Sequence, residues 1–317
     1  MRILGRGHAI VAGFVLVGCS GSSSMRGGSP AAASDSGTTT EPVDAGAISE
    51  PAPDFAYGPP NDASGLPGIL SSVQIVTVTW NGDEESIRSN IAAAFDAGAI
   101  ASSDWWAALG RYCIPGETLC VGASVTVSSA HIGDAPGVPF VDSAVAQNTH
   151  DDSFARFIRD KSQPGTGMDG GAVLPPPATA NTLYVFFLPL ALPANAKGPG
   201  LDPGWAVTVD GAPSCGYHSA TVTGGAGAEA AYVVVPRCQV SGQSDADVAV
   251  ARAFREIADA VTDPFRALGN VGFHNLASPP QGLEIGDVCA GATETTNGIA
   301  GLSLPEIWSG ETASCVP

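Results

Sequence analysis

Two patterns of apolar positions predict the strands of the chain. Residues 73–80 alternate between polar and apolar side chains and are rich in Val, Ile and Thr, which is typical of a β-strand. Residues 183–188 are almost continuously apolar, as expected for a central strand that is buried on both faces. Further strands are predicted at residues 124–130, 205–209, 217–222 and 230–235, with the last two joined by a hairpin-like turn at Gly224-Gly225.

Helical periodicity is strongest over residues 244–268. Ser244 or Asp245 can cap the start of this helix, and its other face is charged. Its apolar stripe is formed by Val250, Phe254, Ile257, Ala258, Val261 and Phe265. Shorter helices are predicted over 83–97, after an N-cap at Ser103, and over 140–161.

From Gly269 onward, Gly, Pro, Ser and Thr predict an irregular tail. The order of elements before this tail indicates a mixed sheet packed with helices, which is an α/β or α+β fold.

The first nineteen residues have the pattern of an exported lipoprotein. Arg2 and Arg6 precede an apolar run at 9–17, which is too short to span a bilayer because a helix needs about 20 apolar residues for that. Gly18 then precedes Cys19, whose thiol would carry the lipid. We therefore predict a signal peptide at 1–18, with an ordinary signal peptide and a chance cysteine as the alternative.

Composition predicts the organisation of the mature chain. Residues 19–66 are rich in Ser, Gly, Ala, Pro and Thr and have few large apolar side chains, so we expect a lipidated cysteine followed by a disordered linker. Residues 67–317 fit one globular domain. These features predict a protein anchored in the cell envelope through its N-terminal lipid, at the outer membrane or cell surface.

The balance of charge excludes one class of partner. The chain has 31 acidic and 13 basic residues and a formal net charge of −18. Because phosphate binding needs clustered Lys and Arg, we do not expect the chain to bind nucleic acid. The acidity favours a role in solubility at a surface over recognition of a cationic substrate.

Six cysteines besides Cys19 indicate disulfide bonds in an exported chain. The sequence does not fix their connectivity. Order along the chain suggests the pairs Cys113–Cys120, Cys215–Cys238 and Cys289–Cys315. No C-x-x-C pair is present, which argues against a thiolate metal site or a redox dithiol.

Three short motifs carry the candidate chemistry. They are R-E-I-A-D-A-V-T-D-P at 255–264, E-I-G-D-V-C at 284–289 and C-G-Y-H at 215–218. Together they resemble the zincin metallopeptidase-like core of exported bacterial proteins and of plant EXORDIUM-like (phosphate-induced) proteins. In zincins, a helical H-E-x-x-H or H-E-x-x-E motif places two metal ligands one turn apart, and its glutamate acts as the general base.

The resemblance implies a role for each matching position. Glu256 takes the position of the base, Asp259 that of the second metal ligand and Asp287 that of a downstream ligand. The position of the first ligand is occupied by Arg255. Arginine stays protonated and has no lone pair for zinc, so a zinc site of the family type cannot form. Either His218 or His274 replaces the missing ligand, or the metal site is degenerate.

Arg255 suggests how such a fold would remain stable without a metal. Asp259, Asp287 and Glu284 would repel one another in an empty site. Arg255 precedes Asp259 by one helical turn, so its guanidinium can lie at the vacant metal position and bind these carboxylates. In the alternative, Arg255–Asp259 and Arg252–Glu256 are only exposed i,i+4 pairs.

The sequence therefore predicts a non-catalytic envelope lipoprotein with a zincin-like domain. This domain would bind an envelope protein, a peptide or a glycan, or act structurally, and it would need no cofactor. The alternative is an active zinc metallopeptidase in which Glu256 activates water and Asp259, Asp287 and His218 hold the metal. His131 and His150 belong to no motif, and no G-x-S-x-G, P-loop or dinucleotide-binding pattern is present.

Overall fold

The structure is a computed structural model, and the described residues belong to the compact unit Ser49–Pro317. It describes residues 55–58, 66–81, 85–132, 153–162, 174–175, 179–189, 207–209, 212–214, 216–222, 229–237, 243–265, 272–275, 284–289, 304–309 and 314–316. The predicted signal peptide, Cys19 and nearly all of the predicted linker lie outside these ranges. Within them, no helix is both long and apolar enough to cross a membrane.

Eleven strands and six helices lie within the described ranges. The strands are β1 (Phe55–Tyr57), β2 (Ser72–Trp80), β3 (Ser124–Ile132), β4 (Thr182–Phe187), β5 (Val207–Val209), β6 (Ala212–Ser214), β7 (Tyr217–Val222), β8 (Glu229–Val235), β9 (Phe273–Asn275), β10 (Ile307–Ser309) and β11 (Ser314–Val316). The helices are α1 (Glu85–Ala94), α2 (Ala97–Ala101), α3 (Asp104–Leu109), α4 (Ser153–Lys161), α5 (Asp245–Thr262) and α6 (Ile285–Val288).

A mixed five-stranded sheet forms the centre of the fold, with the strand order β3-β2-β4-β8-β7. The first four strands are parallel, and β7 runs antiparallel to β8. The strands predicted over 73–80, 124–130, 183–188, 217–222 and 230–235 are all confirmed, as is the α/β class in its broad sense. The turn predicted at Gly224-Gly225 lies outside the described residues.

The central strand β4 is buried at every position, as its continuous apolar sequence predicts. Its side chains point alternately to the two faces of the sheet. Leu183, Val185 and Phe187 pack into one apolar core, which includes α1, α3 and α5. Tyr184 and Phe186 pack into a second core together with α4. Helices on both faces thus explain why this strand has no polar side.

Helix α5 begins as predicted but ends earlier. Ser244 is its N-cap, and the Ser244 hydroxyl accepts a hydrogen bond from the backbone N–H of Asp247. The helix ends at Thr262, whereas the sequence pattern predicted residue 268. The reason is Pro264, whose ring disfavours a helical conformation at the preceding Asp263.

The ends of the other helices differ from the predicted ends in part. Residues 83–97 were expected to form one helix, but α1 ends at Ala94 and Asp96 caps a new helix, α2, by accepting the backbone N–H of Ala99. Ser103 caps α3 as predicted. Helix α4 confirms the second part of the helix predicted over 140–161, and residues 140–150 lie outside the described ranges.

The region after Gly269 was predicted to be irregular. This prediction is wrong, because four short elements lie in this region: β9, α6, β10 and β11. Strand β9 pairs with β1, and β10 pairs with β11 in an antiparallel hairpin. Helix α6 lies between these strands in the sequence. Strands of three residues and a helix of one turn are too short to produce a detectable hydrophobic period.

Two of the three suggested cysteine pairs lie in the described residues. Cys113 pairs with Cys120 and Cys289 with Cys315, both at disulfide distance, which is compatible with the predicted bonds. Cys215 and Cys238 lie outside the described ranges, so their pairing remains a prediction. The Cys289–Cys315 bond connects the end of α6 to β11.

Candidate functional site

Three side chains from distant parts of the sequence form a candidate metal-binding cluster. His218 lies on β7, Asp259 lies on α5, and Glu284 immediately precedes α6. One ligand atom from each of them lies within 4.8 Å of the other two. Glu256 on α5 is a fourth member, because its carboxylate also faces His218. We refer to these four residues as the His218 cluster.

The imidazole of His218 lies between two carboxylates. Its Nδ1 atom is 3.7 Å from Oε2 of Glu256, and its Nε2 atom is 3.7 Å from Oε1 of Glu284. These distances are typical of ion pairs and are longer than ordinary hydrogen bonds. The side chain of His218 is only 9% exposed, so solvent screens these interactions weakly.

The cluster alters the protonation of His218. Burial alone lowers the pKa of this histidine because it disfavours the charged ring. The nearby carboxylates of Glu284, Glu256 and Asp259 act in the opposite direction and dominate, so the pKa of His218 rises to about 10. The raised pKa favours the imidazolium form of His218 at neutral pH, and its single positive charge compensates part of the charge of the three carboxylates.

The local sequence around β7 explains the position of His218. Tyr217 packs into the second core, where its ring lies 6.4 Å from that of Tyr232. Because side chains alternate along a strand, the neighbouring His218 points to the opposite face, where α5 lies. Gly216 leaves room for Glu256, since a Cβ atom at this glycine would lie 3.0 Å from Cγ of Glu256.

Asp259 is fixed by a backbone contact with α6. Its side chain is 1% exposed, and its Oδ1 atom accepts a hydrogen bond of 2.5 Å from the backbone N–H of Gly286. A charged hydrogen bond of this kind stabilises a buried carboxylate. Gly286 of the E-I-G-D-V-C motif is thus in direct contact with Asp259 of the R-E-I-A-D motif, although these two residues are 27 positions apart.

Asp263 has a comparable structural role one turn later. This residue is fully buried, and its Oδ1 atom accepts a hydrogen bond of 2.7 Å from the backbone N–H of Gly272. Gly272 in turn precedes β9. The T-D-P part of the motif therefore connects the end of α5 to a later segment of the chain and lies outside the His218 cluster.

The sequence left open an exposed pair of Arg255 with Asp259. Asp259 is buried, and the Nε atom of Arg255 is itself shielded from solvent, so a pair of these residues would not be exposed. Arg255 is half-buried on α5, next to Glu256 in the sequence and one turn before Asp259. The hypothesis that its guanidinium compensates the carboxylates remains a prediction.

The structure brings together most of the candidate residues. His218, Glu256 and Asp259 were all predicted site residues and lie in one cluster. The sequence favoured Asp287 as the downstream ligand, but the structure places Glu284 beside His218. Of Asp287 and His274, only the backbone is described, in α6 and β9. No sequence signal distinguishes Glu284 from Asp287, because the two carboxylates are only three positions apart in the same motif.

The cluster satisfies a geometric requirement of a metal site. A triangle with sides of at most 4.8 Å fits within a circle of about 2.8 Å radius, whereas zinc lies about 2.0 to 2.2 Å from its ligands. Movements of at most about 0.6 to 0.8 Å per atom would bring one nitrogen and two oxygens to these distances. A ligand set that includes residue 255 does not fit, because arginine offers no lone pair.

Comparisons of the chain with protein-family models, with curated proteins and with solved structures gave no match. The described residues show a mixed sheet with helices on both faces, which agrees with an α/β fold. The zincin-like assignment therefore depends on the three sequence motifs and remains a proposal.

Proposed function

We infer that this chain is a lipoprotein anchored in the cell envelope whose zincin-like domain is non-catalytic. In this proposal, the domain binds an envelope protein, a peptide or a glycan, or it acts structurally. It requires neither a metal nor another cofactor. The lipid on Cys19 and the part of the predicted 19–66 linker that precedes β1 would hold the domain at the membrane surface, because Phe55–Tyr57 pair with β9.

The observation that supports a non-catalytic role is that the groups of the His218 cluster already interact with one another or with the backbone. Glu256, at the position of the general base, faces the imidazole of His218. Asp259, at the position of the second ligand, already accepts a hydrogen bond from Gly286. Arg255 replaces the first ligand. The groups needed for metal-dependent hydrolysis are thus paired with one another or replaced.

Metal analysis together with a cleavage assay tests this proposal. The mature protein is purified without chelators, its zinc content is measured, and it is incubated with a quenched-fluorescence peptide library. We expect less than about one zinc ion per ten chains and no cleavage above the background of Glu256→Gln, because a protonated imidazole and an arginine provide no ligands. Stoichiometric zinc with cleavage that Glu256→Gln abolishes would contradict the proposal.

A zinc-dependent peptidase is the second candidate, and one observation favours it. His218, Asp259 and Glu284 converge closely enough to hold a divalent cation after small movements. A zinc ion held there would supply an acidic water molecule, and Glu256 would be the carboxylate to accept its proton. Deprotonation of His218 is required before its nitrogen can act as a ligand.

The two candidates differ in the effect of Asp259→Ala. If the chain is a zinc peptidase, this variant loses bound zinc and activity together, because a ligand is removed. If the domain is non-catalytic, the variant is destabilised, because the N–H of Gly286 is left unpaired in a buried position, and the metal content does not change. Thermal unfolding and metal analysis of the same sample measure both effects.

A further inference from the structure

The segment 284–289 connects the His218 cluster to a disulfide bond. It begins with Glu284, which faces His218, and ends with Cys289, which pairs with Cys315. Between them, Ile285 is completely buried in the core that also contains α5. The segment is therefore fixed at both ends and in its middle.

Gly286 is the point of contact between this segment and α5. Its backbone N–H donates to Oδ1 of Asp259 at 2.5 Å, in a buried position. A Cβ atom at residue 286 would lie 2.7 Å from the carbonyl oxygen of Arg255 and 2.8 Å from Oδ2 of Asp259. Such distances are too short for any side chain, so only glycine allows this approach of the two backbones.

This contact determines where two carboxylates of the cluster lie. The hydrogen bond fixes the rotamer of Asp259, because one of its oxygens must face the segment. Glu284 is only two residues before Gly286, so the same docking brings its carboxylate to His218. Without the segment, His218 would face only the carboxylates of α5.

We propose that the segment 284–289 assembles the His218 cluster, with Gly286 as a positioning residue for Asp259 and Glu284. The Cys289–Cys315 bond keeps the segment against α5 by joining it to β11. Reduction of this bond would withdraw Glu284 from His218 and leave the rest of the sheet intact. The inference holds for a non-catalytic domain and for a metal site alike, since both require the same arrangement.

The first test uses the unmodified domain. We expect the amide of Gly286 to exchange with solvent at least about 100-fold more slowly than in an unstructured peptide, because it is buried and hydrogen-bonded. Hydrogen exchange followed by NMR measures this rate. Exchange as fast as in an unstructured peptide would overturn the proposal without reference to any variant.

The second test follows the imidazole ¹⁵N signals of His218 at constant pH. In Cys289→Ser/Cys315→Ser, we expect these signals to move to the positions found in Glu284→Gln, because both changes remove the same carboxylate from the ring. The matched control is Cys113→Ser/Cys120→Ser, which removes the other described disulfide and should leave the signals unchanged. Circular dichroism confirms that each variant is folded.

The outcomes are distinct from those of the proposed function, which concern zinc and cleavage. The Cys289→Ser/Cys315→Ser variant could be folded and still show the His218 signals of the unmodified protein. The disulfide would then not position the segment. An equal change in the Cys113→Ser/Cys120→Ser control would show a general effect of disulfide loss. Either result would overturn the proposal.

Discussion

At His218, a single imidazole faces three carboxylates from two segments of the chain. Glu256 and Asp259 approach from α5, and Glu284 approaches from the residue before α6. In such a weakly solvated cluster, a positive charge on the imidazole offsets part of the repulsion among the carboxylates. The protonation of His218 should therefore affect the stability of the domain.

The raised pKa of His218 predicts how stability depends on pH. The folded state holds a proton up to about pH 10, whereas the unfolded state releases it near 6.5. The contribution of His218 to stability is therefore complete below about pH 6.5 and is lost as the pH rises through 10. The difference in melting temperature between the unmodified protein and His218→Gln should shrink between pH 6 and pH 10. A constant difference over this range would contradict the assigned charge.

Gly272 provides a second prediction for a single residue. A Cβ atom there would overlap the carbonyl oxygens of Thr262 and Gly68, both on the backbone. We expect Gly272→Ala to lower the free energy of unfolding by more than about 2 kcal/mol. Gly110→Ala is the control, because Gly110 has φ −61° and ordinary contact distances, and it should change stability by less than about 0.5 kcal/mol. Equal effects in chemical denaturation would argue against the close approach.

Among the elements, α5 contributes to both the core and the site. Its apolar stripe packs against the sheet, and its polar positions supply Glu256 and Asp259. Phe254 is fully buried and contacts the rings of Phe95 and Trp105, with centroid distances of 5.1 and 5.0 Å. The same helix therefore joins two residues of the site to the apolar core.

Truncation of Phe254 tests this role. We expect Phe254→Ala to reduce the free energy of unfolding by about 3 to 5 kcal/mol, because it removes a buried ring and leaves a cavity. Leu119→Ala serves as the control, since Leu119 is 47% exposed, and its effect should stay within about 0.5 kcal/mol. Urea denaturation measures both values, and a loss below about 1 kcal/mol for Phe254→Ala would contradict the packing described.

The elements also show how much of the fold the sequence predicts. The stripe from Val250 to Val261 and the apolar run of β4 were sufficient to predict the main helix and the central strand, because their periods are regular and long. The pairing of β1 with β9 was not predictable, since three-residue strands over 200 positions apart carry no such signal. The contacts of Asp259 with Gly286 and of Asp263 with Gly272 were not predictable either. Each joins a side chain of α5 or its end to the backbone of another segment.

For the whole molecule, the sequence predicts an acidic domain held at a membrane by a lipid. The net charge of −18 favours solubility and opposes adhesion to anionic surfaces. In the proposed function, attachment depends on the lipid on Cys19. In this view, the linker determines how far the domain extends from the surface.

Removal of the lipidation site tests the anchor. When the full chain is expressed in a Gram-negative host, we expect it to enter the detergent phase on separation with Triton X-114, because acyl chains make the protein amphiphilic. Cys19→Ser should move to the aqueous phase with its fold intact. Equal partition of the two proteins would show that Cys19 carries no lipid.

In the proposed function, the arginine at the position of the first ligand prevents zinc binding. Isothermal titration of zinc into the metal-free domain at neutral pH tests this effect, with Arg255→His as the comparison. We expect no saturable binding to the unmodified domain and one site per chain in Arg255→His, because the histidine adds a ligand one turn before Asp259. The proposed function is wrong if the unmodified domain binds zinc tightly at one site per chain and Arg255→His binds it no better.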